Sequence, residues 1–361
     1  MSENKESAAM LGYCRAGFEG ELVAEFNAHA GKPAARVTAV AGSGFVHAVF
    51  PAGVRGALQR LSYLETVFAR QCFPADTTPI ALPERDRVTP IVEKARAYLQ
   101  EQHITAIADV WVEHPDTNDG KALSKLAGAL QSRVLEALTQ SGLVQQNAGR
   151  RLHVLLTPDK KAWLGVADVQ RASSWPLGIP RLRMPRDAPS RSTLKLSEAM
   201  YVFLGDREEK VLMPEMRAVD LGAAPGGWTW QLIHRGLHVT AVDNGDMKGE
   251  LVDNALVRHI REDGFRFQPK KNVDWMVCDM VESPSRIAHL VARWLSSGWA
   301  RHCIFNLKLP MKKRYEEVLR CRAIIEDGLQ ADGRIIDLRI RQMYHDREEV
   351  TGYCTLVSRR H

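Results

Sequence analysis

The stretch A-V-D-L-G-A-A-P-G-G-W, Ala218 to Trp228, begins as an apolar run and breaks at once into small residues and glycine. Ala218 to Leu221 read as a buried strand. Gly222, Gly226 and Gly227 allow a tight turn, and Trp228 to Arg235 read as a helix. Strand, glycine turn and helix in that order set a ligand against bare backbone at the open end of a parallel sheet. The spacing G-x-x-x-G-G differs from the dinucleotide fingerprint G-x-G-x-x-G, which argues against a nicotinamide oxidoreductase. No Lys-Ser or Lys-Thr follows to make a phosphate loop. A turn of this shape, with Asp220 in it, suits an adenosyl amino acid better than a pyrophosphate.

Outward from the turn, the 361 residues give room for two or three domains, and 45% apolar with 25% charged residues is ordinary for a soluble chain. No apolar run reaches the length of a membrane span. Met1 to Ser7 lack the basic-then-apolar pattern of a signal peptide, so a cytoplasmic location is expected. Six scattered cysteines without a C-x-x-C pair predict free, mostly buried thiols, with neither a disulfide framework nor a zinc site. The net charge of +6 points weakly to a polyanionic partner. Its distribution says more. Arg181, Arg183, Arg186, Arg191 and Lys195 stand within fifteen residues that hold one acid, Asp187, and Lys312, Lys313 and Arg314 form a second cluster beside Lys308. Both clusters are expected to flank a groove that follows a phosphate backbone.

Regular alternation follows the turn. Strands are expected at Met216 to Leu221, His238 to Val242, Val273 to Asp279 and Cys303 to Leu309. Helices are expected at Trp228 to Arg235, Ser285 to Leu295 and Met311 to Leu329. A hairpin, Arg334 to Met343 and Val350 to Ser358, closes the chain. This pattern predicts an α/β, Rossmann-like doubly wound sheet with an antiparallel strand at its edge, over 193–361. A Pro-rich basic connector, 173–192, precedes it. Before that, 1–80 and 81–172 each read as a small α+β module.

Acids mark the ends of successive elements after the turn. Asp243 closes the second strand sixteen residues beyond Gly227, where a carboxylate can accept from both ribose hydroxyls; Asp263 follows in the next loop, and Asp279 ends the fourth strand. Singly, each reads as a cap or turn residue. Three at consecutive carboxyl ends mark the edge where such sheets bind ligands. Lys308 ends the apolar strand from Cys303, and there it either snorkels to solvent or points into the crevice. As a general base it needs its pKa lowered by burial or a neighbouring cation, and Lys195 is the candidate neighbour.

These residues closely resemble the FtsJ-type ribose 2′-O-methyltransferases, and within them the bacterial branch acting on large-subunit 23S rRNA. The resemblance rests on D-A-P-S-R-S-T-L-K-L (Asp187 to Leu196), V-D-L-G-A-A-P-G-G-W (Val219 to Trp228), R-E-D-G-F (Arg261 to Phe265), W-M-V-C-D-M (Trp275 to Met280), F-N-L-K-L-P-M-K-K-R-Y-E-E (Phe305 to Glu317) and Y-H-D-R-E-E-V (Tyr344 to Val350). It implies a Lys-Asp-Lys-Glu tetrad on Lys195, Asp279, Lys308 and Glu349, with Glu348 adjacent as the other possible glutamate. It implies S-adenosyl-L-methionine as cofactor, held by Ser190, Gly222, Ala224, Pro225, Gly226, Gly227, Asp243, Asp263 and Asp279. Ala224 stands where some relatives carry cysteine.

Cys14, Gly17, Glu19 and Glu21 to Phe26 resemble the opening of THUMP-containing methyltransferases, which implies that 1–80 is ferredoxin-like and 81–172 a THUMP-like RNA-binding domain. The implied reaction is 2′-O-methylation of a cytidine in the peptidyl-transferase region, on 23S rRNA or a precursor particle, by a monomer without a metal or protein partner. The basic residues Arg181, Arg183, Arg186, Arg191, Lys312, Lys313 and Arg314 are then RNA contacts. The competing reading is an RNA-binding assembly factor that keeps the fold without turnover; the lysine pair argues against it.

Overall fold

Apolar strands and amphipathic helices build two sheets in the computed structural model, which describes residues 8–51, 54–330 and 335–357. The chain divides into two units, Met1–Pro180 and Arg181–His361.

The first unit runs β1 (Ala8–Tyr13), α1 (Glu19–Ala30), β2 (Arg36–Thr38), β3 (Phe45–Phe50), α2 (Arg55–Arg60), β4 (Gln71–Ala75) and β5 (Ile80–Ala81). It continues with α3 (Val88–Glu101), β6 (Asp109–Glu113), α4 (Asn118–Lys121), α5 (Ser124–Gln140), β7 (Arg150–Thr157) and β8 (Lys161–Asp168). The two modules read from the sequence share one sheet, in the order β2-β3-β1-β4-β8-β7-β6 with β5 on β8. They join where Ala75 pairs with Gly165 and the Asp76 amide donates to the Leu164 carbonyl at 2.8 Å. Buried Glu113 ties the same halves together. Its carboxylate accepts from Tyr13 at 2.9 Å and the Leu177 amide at 2.5 Å, and meets His153 Nδ1 at 2.8 Å. A buried carboxylate is tolerated because each oxygen finds a partner.

The second unit holds α6 (Thr193–Leu204), α7 (Glu208–Val211), β9 (Arg217–Leu221), α8 (Gly227–Ile233), β10 (His238–Val242), β11 (Val257–Ile260) and β12 (Val273–Cys278). After these come α9 (Pro284–Ser296), β13 (Ala300–Lys308), α10 (Arg314–Gln330), β14 (Ile335–Arg341) and β15 (Glu349–Val357). Its sheet is ordered β11-β10-β9-β12-β13-β15-β14. The first five strands are parallel, so the carboxyl ends of β9, β10, β12 and β13 share one edge. The expected antiparallel strand is β15. It lies one place in from the edge, between β13 and β14, so its first residue meets the last residue of β13.

Three elements go beyond the pattern read from the sequence: α6, the short α7 and β11. In α6, buried Leu196, Ala199, Met200, Phe203 and Leu204 fall at helical spacing and pack with Trp228 and Leu232 of α8 over Ala218, Val239, Ala241 and Trp275. β11, V-R-H-I, is short and mixed in polarity, because it is an edge strand. Helices α9 and α10 form a second layer, packed on each other and, through α9, on β13. All six cysteines are buried and free. Among the described residues, no helix is long and apolar enough to cross a membrane.

Candidate active site

The glycine turn leaves β9 with positive φ at Gly222 (+79°) and Gly226 (+117°), a region that side-chain-bearing residues rarely adopt. The Ala224–Pro225 peptide is cis. Gly227 opens α8 beneath two hydroxyls: a Cβ there would stand 2.4 Å from Ser190 Oγ and 2.3 Å from Ser192 Oγ. Ser190 is thereby brought against the turn, with its Oγ 2.6 Å from that of Ser192. Asp243 braces the turn from β10, accepting from the Ala224 amide at 3.1 Å and the Gly245 amide at 2.7 Å.

A cavity of about 350 Å³ opens at this edge of the sheet. It collects Gly222, Ala224, Asp243, Asp263 and Asp279 from the expected cofactor residues, and adds Glu262, Phe265, Met280 and Glu282, which sequence reasoning did not single out. Ser190, Pro225, Gly226 and Gly227 lie in the turn and its flank and are not part of this lining. Asp263 also caps its own loop, accepting from the Phe265 amide at 2.8 Å. Five carboxylates around bare backbone suit a cationic ligand that carries ribose hydroxyls. Asp220 differs from its reading as part of the turn. It sits inside β9 with one carboxylate oxygen accepting from Thr229 Oγ1 at 2.7 Å. Burial pushes its pKa up to about 7; the Thr229 hydrogen bond opposes this, and the charges of Asp279 and Asp243 add to it.

Four elements deliver the expected tetrad to one place. Lys195 stands in the first turn of α6, Asp279 follows β12, Lys308 ends β13 and Glu349 begins β15. Lys308 and Glu349 are cross-strand partners. Lys308 Nζ lies 3.0 Å from Asp279 Oδ1 and 3.7 Å from Glu349 Oε1. Lys195 Nζ hydrogen-bonds Glu349 Oε1 and lies 3.9 Å from Asp279 Oδ2. Glu348, the alternative glutamate, points elsewhere and pairs with Arg314 at 2.7 Å. Pairing decides this choice: Glu349, the first residue of β15, is set opposite Lys308, while Glu348 lies in the bend before the strand.

The two lysines are not equivalent. Burial alone would pull the Lys195 ammonium down, but the charge of Asp279 and the hydrogen bond and charge of Glu349 outweigh it, and its pKa rises. Glu349 mirrors this: burial would raise its carboxyl, and Lys195, then Lys308, hold it below the usual range. Lys308 is the most open of the four side chains, 26% exposed against 15% for Lys195, 16% for Asp279 and 9% for Glu349. Lys195 is therefore a fixed cation inside the cluster, and Lys308 is the amine that can meet an incoming group.

Behind the tetrad lie residues that sequence reasoning missed. Asn306 Nδ2 donates to Asp279 Oδ1 at 2.8 Å, and Thr351 Oγ1 donates to Asn306 Oδ1 at 2.8 Å. Glu198, one turn after Lys195, accepts the Tyr344 and His345 amides at 2.8 and 2.9 Å and so docks the loop before β15 onto α6. The signals were spacing alone: Asn306 shares a strand face with Lys308, and Glu198 shares a helix face with Lys195.

The expected RNA contacts separate. Arg181, Arg183, Arg186 and Arg191 are exposed, and none makes an ion pair among the described residues. Lys312 is exposed, and Lys313 pairs with Glu316 at 3.3 Å on the open surface. Arg314 is only 12% exposed and engaged by Glu348, so it is a tether for the loop before β15 rather than an open cation.

Comparison with known proteins adds three family matches. Residues 8–73 match the RlmM ferredoxin-like domain, 86–168 match the N-terminal region of ribosomal RNA large subunit methyltransferase M, and 188–318 match the FtsJ-like methyltransferase family. Among curated proteins, the ribosomal RNA large subunit methyltransferase M of Methylococcus capsulatus is 48% identical over 97% of this chain and 99% of its own length. The protein of the same name from Thauera aminoaromatica is 47% identical over 97% of this chain and 96% of its own, and that from Cellvibrio japonicus 44% identical over 94% and 97%.

Proposed function

The chain belongs to the ribosomal RNA large subunit methyltransferase M family, and from that membership we propose that it methylates the ribose 2′-hydroxyl of a cytidine in 23S rRNA. The observation that carries this reading is the lysine pair of unequal character, Lys195 fixed as a cation and Lys308 open, bound together by Asp279 and Glu349. An assembly factor without turnover has no use for such a cluster.

S-adenosylmethionine is the cofactor, and when bound it supplies a methyl group on a positively charged sulfur. Backbone from Gly222 through Ala224, Pro225, Gly226 and Gly227 would hold it, with Ser190, Asp243 and Asp263 around the nucleoside. Lys308, as the free amine, accepts the 2′-hydroxyl proton at Nζ as the new carbon–oxygen bond forms. Asp279 orients that amine, and Glu349 divides its charge between both lysines. Lys195 stays protonated and keeps a fixed positive charge against Glu349 and Asp279. Alignment of hydroxyl, methyl and sulfur would supply most of the acceleration, the carbon–sulfur bond breaking to leave a neutral thioether as the carbon–oxygen bond forms. Arg181, Arg183, Arg186, Arg191, Lys312 and Lys313 grip phosphates, and the first unit positions the RNA, naked or in a precursor particle, in the cytoplasm.

Lys308→Ala is expected to abolish transfer of tritiated methyl into rRNA from cells lacking the enzyme, while calorimetric binding of S-adenosylmethionine stays within about twofold. Equal turnover by variant and wild type would end the base assignment. Mapping 2′-O-methyl positions with and without the gene identifies the nucleotide; a change at no cytidine would refute that part.

A further inference from the structure

Behind the tetrad, a line of buried polar groups runs from Asp279 into the protein: Asn306, then Thr351, then Asp346, exposed by 0%, 0% and 1%. Asp279 Oδ1 receives two donors, Lys308 Nζ at 3.0 Å and Asn306 Nδ2 at 2.8 Å. That bond fixes the Asn306 amide, because turning it over would set its oxygen against the carboxylate. Asn306 Oδ1 therefore faces the other way and accepts from Thr351 Oγ1 at 2.8 Å. A threonine hydroxyl has one proton, and this bond uses it. Yet Thr351 Oγ1 also lies 3.2 Å from Asp346 Oδ1 and 3.0 Å from Oδ2, both acceptors in an ionised carboxylate. Oδ2 is already taken by the Met343 amide at 2.9 Å. The line is satisfied throughout only if Asp346 carries a proton on Oδ1 and gives it to Thr351.

We propose that Asp346 is held as a neutral carboxylic acid whose proton sets the direction of the line Asp346–Thr351–Asn306–Asp279, and that it is a positioning residue for Asp279 and, through it, for Lys308. The charged groups around Asp346 agree. Burial first, then the carboxylates Glu198 and Glu349, push its pKa well up, against the Met343 amide and Lys195. Register explains how the line forms: Asn306 opposes Thr351 on β13 and β15, as Lys308 opposes Glu349 two residues on. With Asp346 ionised, Thr351 would turn its proton inward, leaving Asn306 Oδ1 without a donor and free to rotate away from Asp279. Asp279 would then lose one of its two donors and its fixed angle to Lys308.

The catalytic consequence rests on Lys308 being the base; the protonation of Asp346 does not. Carbon-13 NMR of the full-length protein labelled at aspartate carboxyls, assigned with Asp346→Asn, should show Asp346 protonated at pH 7. An ionised Asp346 overturns the proposal whatever the variants do. In methyl transfer to rRNA, Asp346→Asn keeps both a donor and an acceptor and should hold kcat within about twofold of wild type. Thr351→Val, which has the shape without the proton, should lower kcat about 10- to 100-fold. KM for RNA and the Kd of S-adenosylmethionine should not change, and Thr351→Ser should restore the rate. Full activity of Thr351→Val, or an Asp346→Asn as impaired as Thr351→Val, rejects the positioning role. If Lys308→Ala proves active, the base assignment falls, while the NMR result still decides the state of Asp346.

Discussion

Single residues carry the chemistry here through their surroundings. Asp220 shows this outside the tetrad. In the fold it ionises at about 7 instead of 3.8, with burial the largest cause. The folded chain thus holds this proton more tightly than the unfolded chain does. Its contribution to stability is complete below pH 3.8, falls as pH rises toward 7 and is gone above that. Asp220→Asn, which keeps an acceptor for Thr229, should melt with wild type at pH 4 and above it at pH 8. Thermal unfolding at both values checks this; parallel melting curves across the range would refute the cause. Nothing in A-V-D-L reveals the shift, since a carboxylate's neighbours across a helix are not written in its own strand. The identity of the tetrad was more legible. Lys195, Asp279 and Lys308 stand in recognisable stretches, whereas Glu349 and Glu348 are separated only by which way each faces.

At the scale of elements, the site depends on β15 lying directly against β13. That pairing sets Glu349 opposite Lys308 and Thr351 opposite Asn306 on one face. On the other face Phe305 lies over Gly352, where a Cβ would come within 2.3 Å of the ring. Gly352→Ala should therefore push the two strands apart. It should cost about 1–3 kcal/mol in urea unfolding and lower methyl transfer with it. A variant as stable as wild type would show that the ring moves aside freely. The elements themselves were largely legible, because period-two and period-3.6 apolar patterns and the glycine break are local signals. Strand order was not. The hairpin of β14 and β15 reads the same whether β15 or β14 meets β13, and only the first arrangement builds the tetrad.

Across the molecule, charge and sheet continuity matter more than any one contact. The excess of +6 includes four exposed arginines at 181, 183, 186 and 191 without ion partners among the described residues. Changing all four to alanine should lower the slope of log Kd against log salt for rRNA by about 3. S-adenosylmethionine affinity should be unchanged. An unaltered slope would remove this segment from the RNA interface. By itself the sequence determined the strand–turn–helix at Ala218 to Arg235 and the alternation of the second unit, because spacing and local periodicity encode them; the tetrad entered through the resemblance to the FtsJ-type enzymes, with two adjacent glutamates at its fourth place. Only the tertiary structure decided that the two N-terminal modules share a sheet, that Glu349 rather than Glu348 joins the lysines, and that Asn306, Thr351 and Asp346 stand behind Asp279. Each of these depends on which strands become neighbours, and pairing between distant segments is fixed by packing the whole chain rather than by any stretch of it.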